Sequence, residues 1–203
     1  MSATGGHLAR SNPFSTRYVR PGVIAYLFPA GQSAGAIARR LVDLDEPAQI
    51  VGPHGTGKST LLASLVQQLE ALDFRSCIFS MHDGTRRLPD DWVSKARRAA
   101  ASLIVVDGYE QLSHWNRFWL ALRCRQNGWR LLVTAHQDVG YVTLFQTTAS
   151  LPVVQELVDH LLPADDPSIT PASVADCFAA SNGNVRETLF ALYDQYERRH
   201  AGR

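Results

Sequence analysis

Lysine is almost absent from this chain. Of the 20 basic residues among 203, only Lys58 and Lys95 are lysines and 18 are arginines, so each lysine stands out against a guanidinium background. Cysteine is equally sparse: Cys77, Cys124 and Cys177 are odd in number, far apart, and form no CxxC pair. That excludes a disulfide framework and a cysteine zinc site, and reads as free thiols of a reducing compartment. No apolar run approaches the roughly 20 residues that span a bilayer, and Met1 to Arg10 carries no apolar signal core. The expectation is a soluble, cytoplasmic protein with no membrane partner. Net charge is scarce too: 20 bases against 19 acids leave +1, without a global pull toward nucleic acid or anionic lipid. Bases are missing altogether from Leu131 through Val185, a stretch that holds Asp138, Glu156, Asp159, Asp165, Asp166 and Asp176.

What is present is a globular composition, 45% hydrophobic with 14 glycines and 10 prolines, in a length that suits one domain or one domain with a small appendage. Residues 1–11 are small and polar and read as a flexible tail. From Asn12 to Pro29, three prolines among aromatic and aliphatic residues read as an irregular strap packed on a body. Beyond it, short apolar runs alternate with helical patterns: a helix over 34–44, strands over 48–51, 76–80, 103–106 and 130–134, a fifth strand within 141–145, and helices over 58–72, 91–101 and 115–127. This alternation predicts a mainly parallel sheet with crossover helices. After residue 150 only helical patterns follow, over 153–162, 172–180 and 184–199. The expected organisation is therefore an α/β body over 12–150 and a helical lid over 151–203.

Gly52-Pro53-His54-Gly55-Thr56-Gly57-Lys58-Ser59 satisfies GxxxxGK[ST] between a predicted strand and a predicted helix. Glycines let backbone N–H groups wrap a phosphate, the helix aims its positive N-terminus at it, and a compact ammonium adds charge at the outer phosphates. Gly52 to Ser59 and the following Thr60 are the expected nucleotide contacts, with the Ser59 hydroxyl on Mg²⁺. A second carboxylate is needed on a neighbouring strand, and Leu103-Ile104-Val105-Val106-Asp107 supplies it at a strand C-terminus, where ligands of open α/β sheets gather.

Hydrolysis also requires a base or water-positioning group. The residue after Asp107 is Gly108, and the nearest carboxylate is Glu110, which either faces the nucleotide or serves the helix that starts near Ser113. Thr134 and His136 follow another apolar strand and lie either beside the attacking water or in a solvated loop. Gly183-Asn184-Val185-Arg186-Glu187 opens the last helix with a capping-box-like signal. Arg186 sits at the end where the helix dipole disfavours it, which reads as phosphate contact or as pairing with a carboxylate.

The constellation resembles the P-loop ATPases of the AAA+ and STAND superclass. Lys58 and Ser59 match the Walker A positions, Asp107 the Walker B aspartate, Thr134 or His136 sensor 1, and Arg186 in GNVRE the sensor-2 arginine. Asp107-Gly108-Tyr109-Glu110-Gln111-Leu112 is similar to the Walker B of NACHT-type STAND ATPases, and Asn12-Pro13-Phe14 resembles small ATPases that assist transposition and secretion. The resemblance implies a three-layer αβα body with a helical lid, ATP and Mg²⁺ as ligands, Glu110 as catalytic glutamate, Lys58 and Arg186 on the phosphates, and an ATPase that couples nucleotide state to lid movement and a protein partner. Alternatives are a nucleotide-dependent switch with negligible hydrolysis and a P-loop small-molecule kinase. GTPases and ABC proteins are disfavoured, since neither NKxD nor LSGGQ occurs.

Ring-forming members place an arginine finger where this chain has no base, which argues against a closed homohexameric ring and leaves Arg117, Arg123 or Arg125 as substitutes. Arg86, Arg87, Lys95, Arg97 and Arg98 form the densest basic region, near Trp92 but interleaved with acids. It reads first as a charged helix face and second as a nucleic-acid surface. Trp115, Phe118, Trp119 and Leu122 fall at helical spacings and read first as a core stripe, second as a partner groove.

Overall fold

A computed structural model describes residues 12–81, 84–163 and 166–200, so the predicted tail over 1–11 lies outside the described residues. The body carries strands β1 (Ala48–Val51), β2 (Ser76–Ser80), β3 (Leu103–Asp107), β4 (Arg130–Ala135) and β5 (Val142–Gln146). They form one sheet of order β2-β3-β4-β1-β5, and every neighbouring pair is parallel. Residues 103–106 are fully buried, as an unbroken apolar run in a parallel sheet covered on both faces demands. Before and among the strands lie α1 (Thr16–Val19), α2 (Ala34–Asp43), α3 (Lys58–Ala71), α4 (Trp92–Arg98) and α5 (His114–Asn127). Ile37 and Leu41 of α2 and Leu61, Leu65 and Leu69 of α3 pack with Ile50 and Leu132 on one face. Ala96 of α4 and Leu120 and Cys124 of α5 pack with Ile104, Val106 and Val133 on the other. The three-layer αβα arrangement expected from the alternating pattern is the one observed.

Three helices close the chain: α6 (Leu151–Leu161), α7 (Pro171–Ala180) and α8 (Val185–His200). Their own cluster joins Val154, Val158, Val174, Leu189, Leu192 and Tyr196, with Phe14 at its centre. Asn12 explains why Phe14 sits there. Its side chain accepts from Phe14 N at 2.9 Å and donates to Tyr193 O at 3.1 Å and Glu197 Oε1 at 2.7 Å, and the Phe14 ring stands edge-on to Tyr196. Burying such a ring contributes roughly 1.5–3 kcal/mol. Further along, Tyr26 and Phe28 meet Phe145 of β5 edge-to-face at 5.7 and 6.1 Å. The strap therefore runs from the C-terminal helices across to the sheet.

The aromatic stripe of α5 faces water, not the core that its spacing first suggests. Trp115, Phe118 and Trp119 are exposed, and Leu120 and Cys124 face the sheet instead. Spacings of three and four define a face without saying which side of the helix is covered. Here the β3–α5 connection sets the phase, with Leu112 buried and the Arg117 guanidinium donating to the Leu112 and Glu110 carbonyls at 2.9 Å each. All three cysteines are free, and burial pushes the Cys124 thiol up to about 12, which leaves it unreactive at neutral pH. No helix among the described residues is long and apolar enough to cross a membrane.

Candidate functional site

β1 lies between β4 and the edge strand β5, and from its end the chain turns through residues 52–59 into α3. Gly57 holds φ +88° in that turn, a left-handed conformation that side chains disfavour, and a Cβ at Gly55 would run into the Asn184 side chain. The first N–H groups of α3 have no partner within the helix and open toward the cleft. Lys58 is only 9% exposed. Its ammonium donates to Gly52 O at 2.5 Å, Pro53 O at 2.7 Å and His136 Nδ1 at 3.0 Å. Burial lowers its pKa, against the opposing pull of Glu110 and Asp107.

Strand order brings the other groups to the same place. β4 lies between β1 and β3, so the end of β4 falls between the 52–59 loop and Asp107. Ser59 Oγ donates to Asp107 Oδ2 at 2.8 Å, Thr134 Oγ1 donates to Asp107 Oδ1 at 2.5 Å, and Gly108 N donates to Thr134 Oγ1 at 3.0 Å. Thr134 is thus buried against the aspartate and not solvated. Gly108 turns the chain with φ +85°, and a Cβ there would meet the Met81 carbonyl at 2.9 Å.

The turn that follows, Tyr109–Gln111, is fixed by the buried Tyr109 ring, whose hydroxyl bonds Tyr141 at 2.8 Å and whose face carries Arg117 at 5.0 Å. Glu110 therefore points into the site and does not cap α5, a role taken by Ser113, which accepts from Asn116 N. Glu110 Oε1 lies 2.6 Å from His136 Nε2, while Oε2 is buried with no hydrogen-bond partner among the described residues. His136 Nδ1 accepts from Lys58, so its partners assign the neutral Nε2–H tautomer, which donates to Glu110. Its ring lies on that of His54 at 3.4 Å. Burial first, then Lys58 and His54, lower its pKa against the opposing Glu110.

The stability that His136 contributes depends on pH. Because the folded pKa lies below the ordinary value of about 6.5, the unfolded chain takes up the proton first, so the contribution of neutral His136 is complete above about pH 6.5 and is lost as pH falls toward the folded value. Thermal melts of wild type and His136→Gln from about pH 7.5 down to pH 5 should show the acid limb flattened in the variant; parallel limbs would refute the assignment.

The segment near residue 184 meets the loop through Asn184, whose side chain lies against Gly55. Asn184 Oδ1 accepts from Arg186 N at 3.1 Å and Glu187 N at 3.2 Å, capping α8. The Arg186 guanidinium lies 5.5 Å over the Phe190 ring, and no carboxylate pairs with it among the described residues. One cleft of about 770 Å³ is lined by His54 to Thr60, Asp107, Glu110, Thr134, His136 and Arg186. Gly52 and Pro53 lie behind the lining, where their carbonyls hold Lys58. The cleft also takes in residues without a sequence signal: Val19, Arg20, Pro21 and Ile24 from the strap, Val153 and Leu157 from α6, Leu189 and Phe190 from α8. Of the substitute fingers, Arg117 is bound to backbone carbonyls of its own chain.

Solved structures share this architecture. The chain shares the fold of DnaA. Superposition on AMPPCP-bound DnaA from Aquifex aeolicus gives a TM-score of 0.53 at 15% identity, covering 87% of this chain and 67% of that one. DnaA bound to AMPPCP and single-stranded DNA gives 0.53 at 14%, with the same coverage. A DNA replication initiation factor gives 0.51 at 13%, covering 82% of this chain and 62% of its own. The chain thus spans about two thirds of the length of these neighbours. No protein-family model and no curated protein matches the sequence.

Proposed function

We propose that this protein binds ATP with Mg²⁺ in the cleft between sheet and C-terminal helices, hydrolyses it, and passes the nucleotide state to those helices as a lid. The reading rests on one observation: Ser59, Asp107 and Thr134 form one hydrogen-bonded set, and Lys58, His136 and Glu110 a second, in the same cleft. The donor set suits the ligands. Ser59 and Asp107 offer hard oxygens for Mg²⁺, the start of α3 offers N–H groups and a positive dipole for phosphate, and the apolar mouth built by Val19, Ile24, Val153 and Leu157 can cover a base. Bound Mg²⁺ would neutralise charge on the outer phosphates. Lys58 exchanges its loop carbonyls for those phosphates, and Glu110 Oε2, without a hydrogen-bond partner among the described residues, orients the attacking water and receives its proton. Arg186 meets the outer phosphate from the lid, and Asn184, lying against Gly55, conveys displacement of the loop to α8.

The output of such a lid is a protein partner that reads its position. A switch with negligible hydrolysis is the second reading, favoured by the bond that ties Glu110 Oε1 to His136.

ATP affinity measured with Mg²⁺ and with EDTA tests the metal assignment. Wild type should bind more tightly with Mg²⁺, and Ser59→Ala or Asp107→Asn should lose about 10–100-fold of that advantage. Equal affinity with and without the metal in wild type would refute it.

A further inference from the structure

The outward face of α5 has no part in the cleft. Trp115 is 75% exposed, Phe118 57% and Trp119 50%, and they follow one another along one side of the helix, opposite Leu120 and Cys124. Large rings turned to water at three neighbouring positions of one helix cost solvation free energy that nothing within the described residues recovers.

The surroundings of this stripe are cationic at both ends. At its start, Ser113 N and Asn116 Nδ2 both donate to the Arg86 carbonyl, which brings the Arg86–Arg87 segment against the first turn of α5. At its end, Arg97 of α4 donates to Asn127 Oδ1 at 2.9 and 3.2 Å, beside the exposed Arg123 and Arg125. Between Gly84 and Arg130 the chain has nine bases and four acids. Asp107 and Glu110 face the cleft, while Asp90 pairs with Arg87 and Asp91 with Lys95 and Arg98. Arg86, Arg97, Arg123 and Arg125 are left without a carboxylate partner among the described residues, and α5 itself carries no acid.

We infer that this face binds single-stranded nucleic acid, its bases stacking on Trp115, Phe118 and Trp119 and its phosphates meeting the arginines at the two ends of the stripe. Flat exposed rings in a row with cations beside them are what an unpaired strand needs, since every base has a face to stack and every nucleotide a phosphate. An apolar groove on a partner protein would have to bring a carboxylate for each free arginine, and a second copy packed face to face would bring like charges together. The inference is independent of the nucleotide reading of the cleft.

The test is fluorescence anisotropy of a labelled oligo-dT of about 20 nucleotides, longer than the roughly 4–16 that single-strand sites occupy, with the full chain, alongside intrinsic tryptophan fluorescence. Binding should quench tryptophan emission and weaken with salt. Trp115→Ala/Trp119→Ala should weaken it by about 10-fold or more, with circular dichroism and ATP binding unchanged because neither ring lines the cleft or joins the core. Arg123→Glu/Arg125→Glu should make the log–log salt dependence shallower by about 0.7 for each phosphate left without its arginine. No anisotropy change, or binding that the tryptophan pair leaves intact, overturns the inference. So does quenching by phosphatidylserine vesicles but not by oligo-dT, or by concentration-dependent self-association alone.

Discussion

Glu110→Gln is expected to slow single-turnover hydrolysis of Mg·ATP by about 10²–10⁴-fold, the span that general-base contributions cover, while ATP affinity is retained. Glutamine keeps the shape and can still accept from His136 Nε2–H, so the 2.6 Å contact survives in neutral form. What disappears is the carboxylate oxygen Oε2, which is buried and has no hydrogen-bond partner among the described residues. The turn that carries Glu110 is held by Tyr109, Tyr141 and Arg117 and not by the carboxylate, so thermal stability should change little. Hydrolysis unchanged from wild type would remove the catalytic role and leave the binding-switch reading. A large loss of stability would instead mean that the carboxylate is structural.

Lys58→Ala should be more damaging still, lowering both ATP affinity and turnover, with about 10²–10³-fold in the chemical step alone, the scale for removing one electrostatic clamp. The ammonium is the only lysine group among the described residues lining the cleft, and it is largely buried there, which lowers its pKa. Removing it also takes the ammonium from the Gly52 carbonyl and leaves Pro53 O with the Thr56 hydroxyl as its remaining side-chain donor, so the loop should lose order before any nucleotide arrives. Arginine should not restore function, because a planar fork does not fit a space in which one nitrogen makes all three contacts. Titration with a fluorescent ATP analogue and a turnover assay check both parts; undiminished affinity in Lys58→Ala would remove the loop from the binding site.

Much of the fold was legible because its signals are local. The apolar run 103–106, the alternation of strand and helix, and the glycine spacing around Lys58 each act within a few residues, and the observed elements start and stop close to where those patterns do. Glu110 illustrates the limit. It follows Gly108 at a distance of two residues, yet whether it turned inward depended on Tyr141, contributed by a segment 32 positions from Tyr109. The α5 stripe fails for a related reason: periodicity marks a face, and only the packed sheet says which face is covered. Arg117 stood beside Arg123 and Arg125 as a substitute finger until the carbonyls it binds were in place.

The chain sequence alone carried the individual parts: a glycine-rich turn with a lysine at 52–59, an aspartate at the end of a buried strand, a polar pair after another, and a capped helix at 184. Those features depend on backbone propensity and side-chain type, which short stretches specify. Their convergence was decided by the order β2-β3-β4-β1-β5, which inserts Thr134 and His136 between Lys58 and Asp107, and by the helices that place Asn184 on Gly55. The strap anchored through Phe14 and the cation-flanked aromatic face of α5 likewise arise from contacts between segments far apart in sequence, whose free energy exists only once the core has formed.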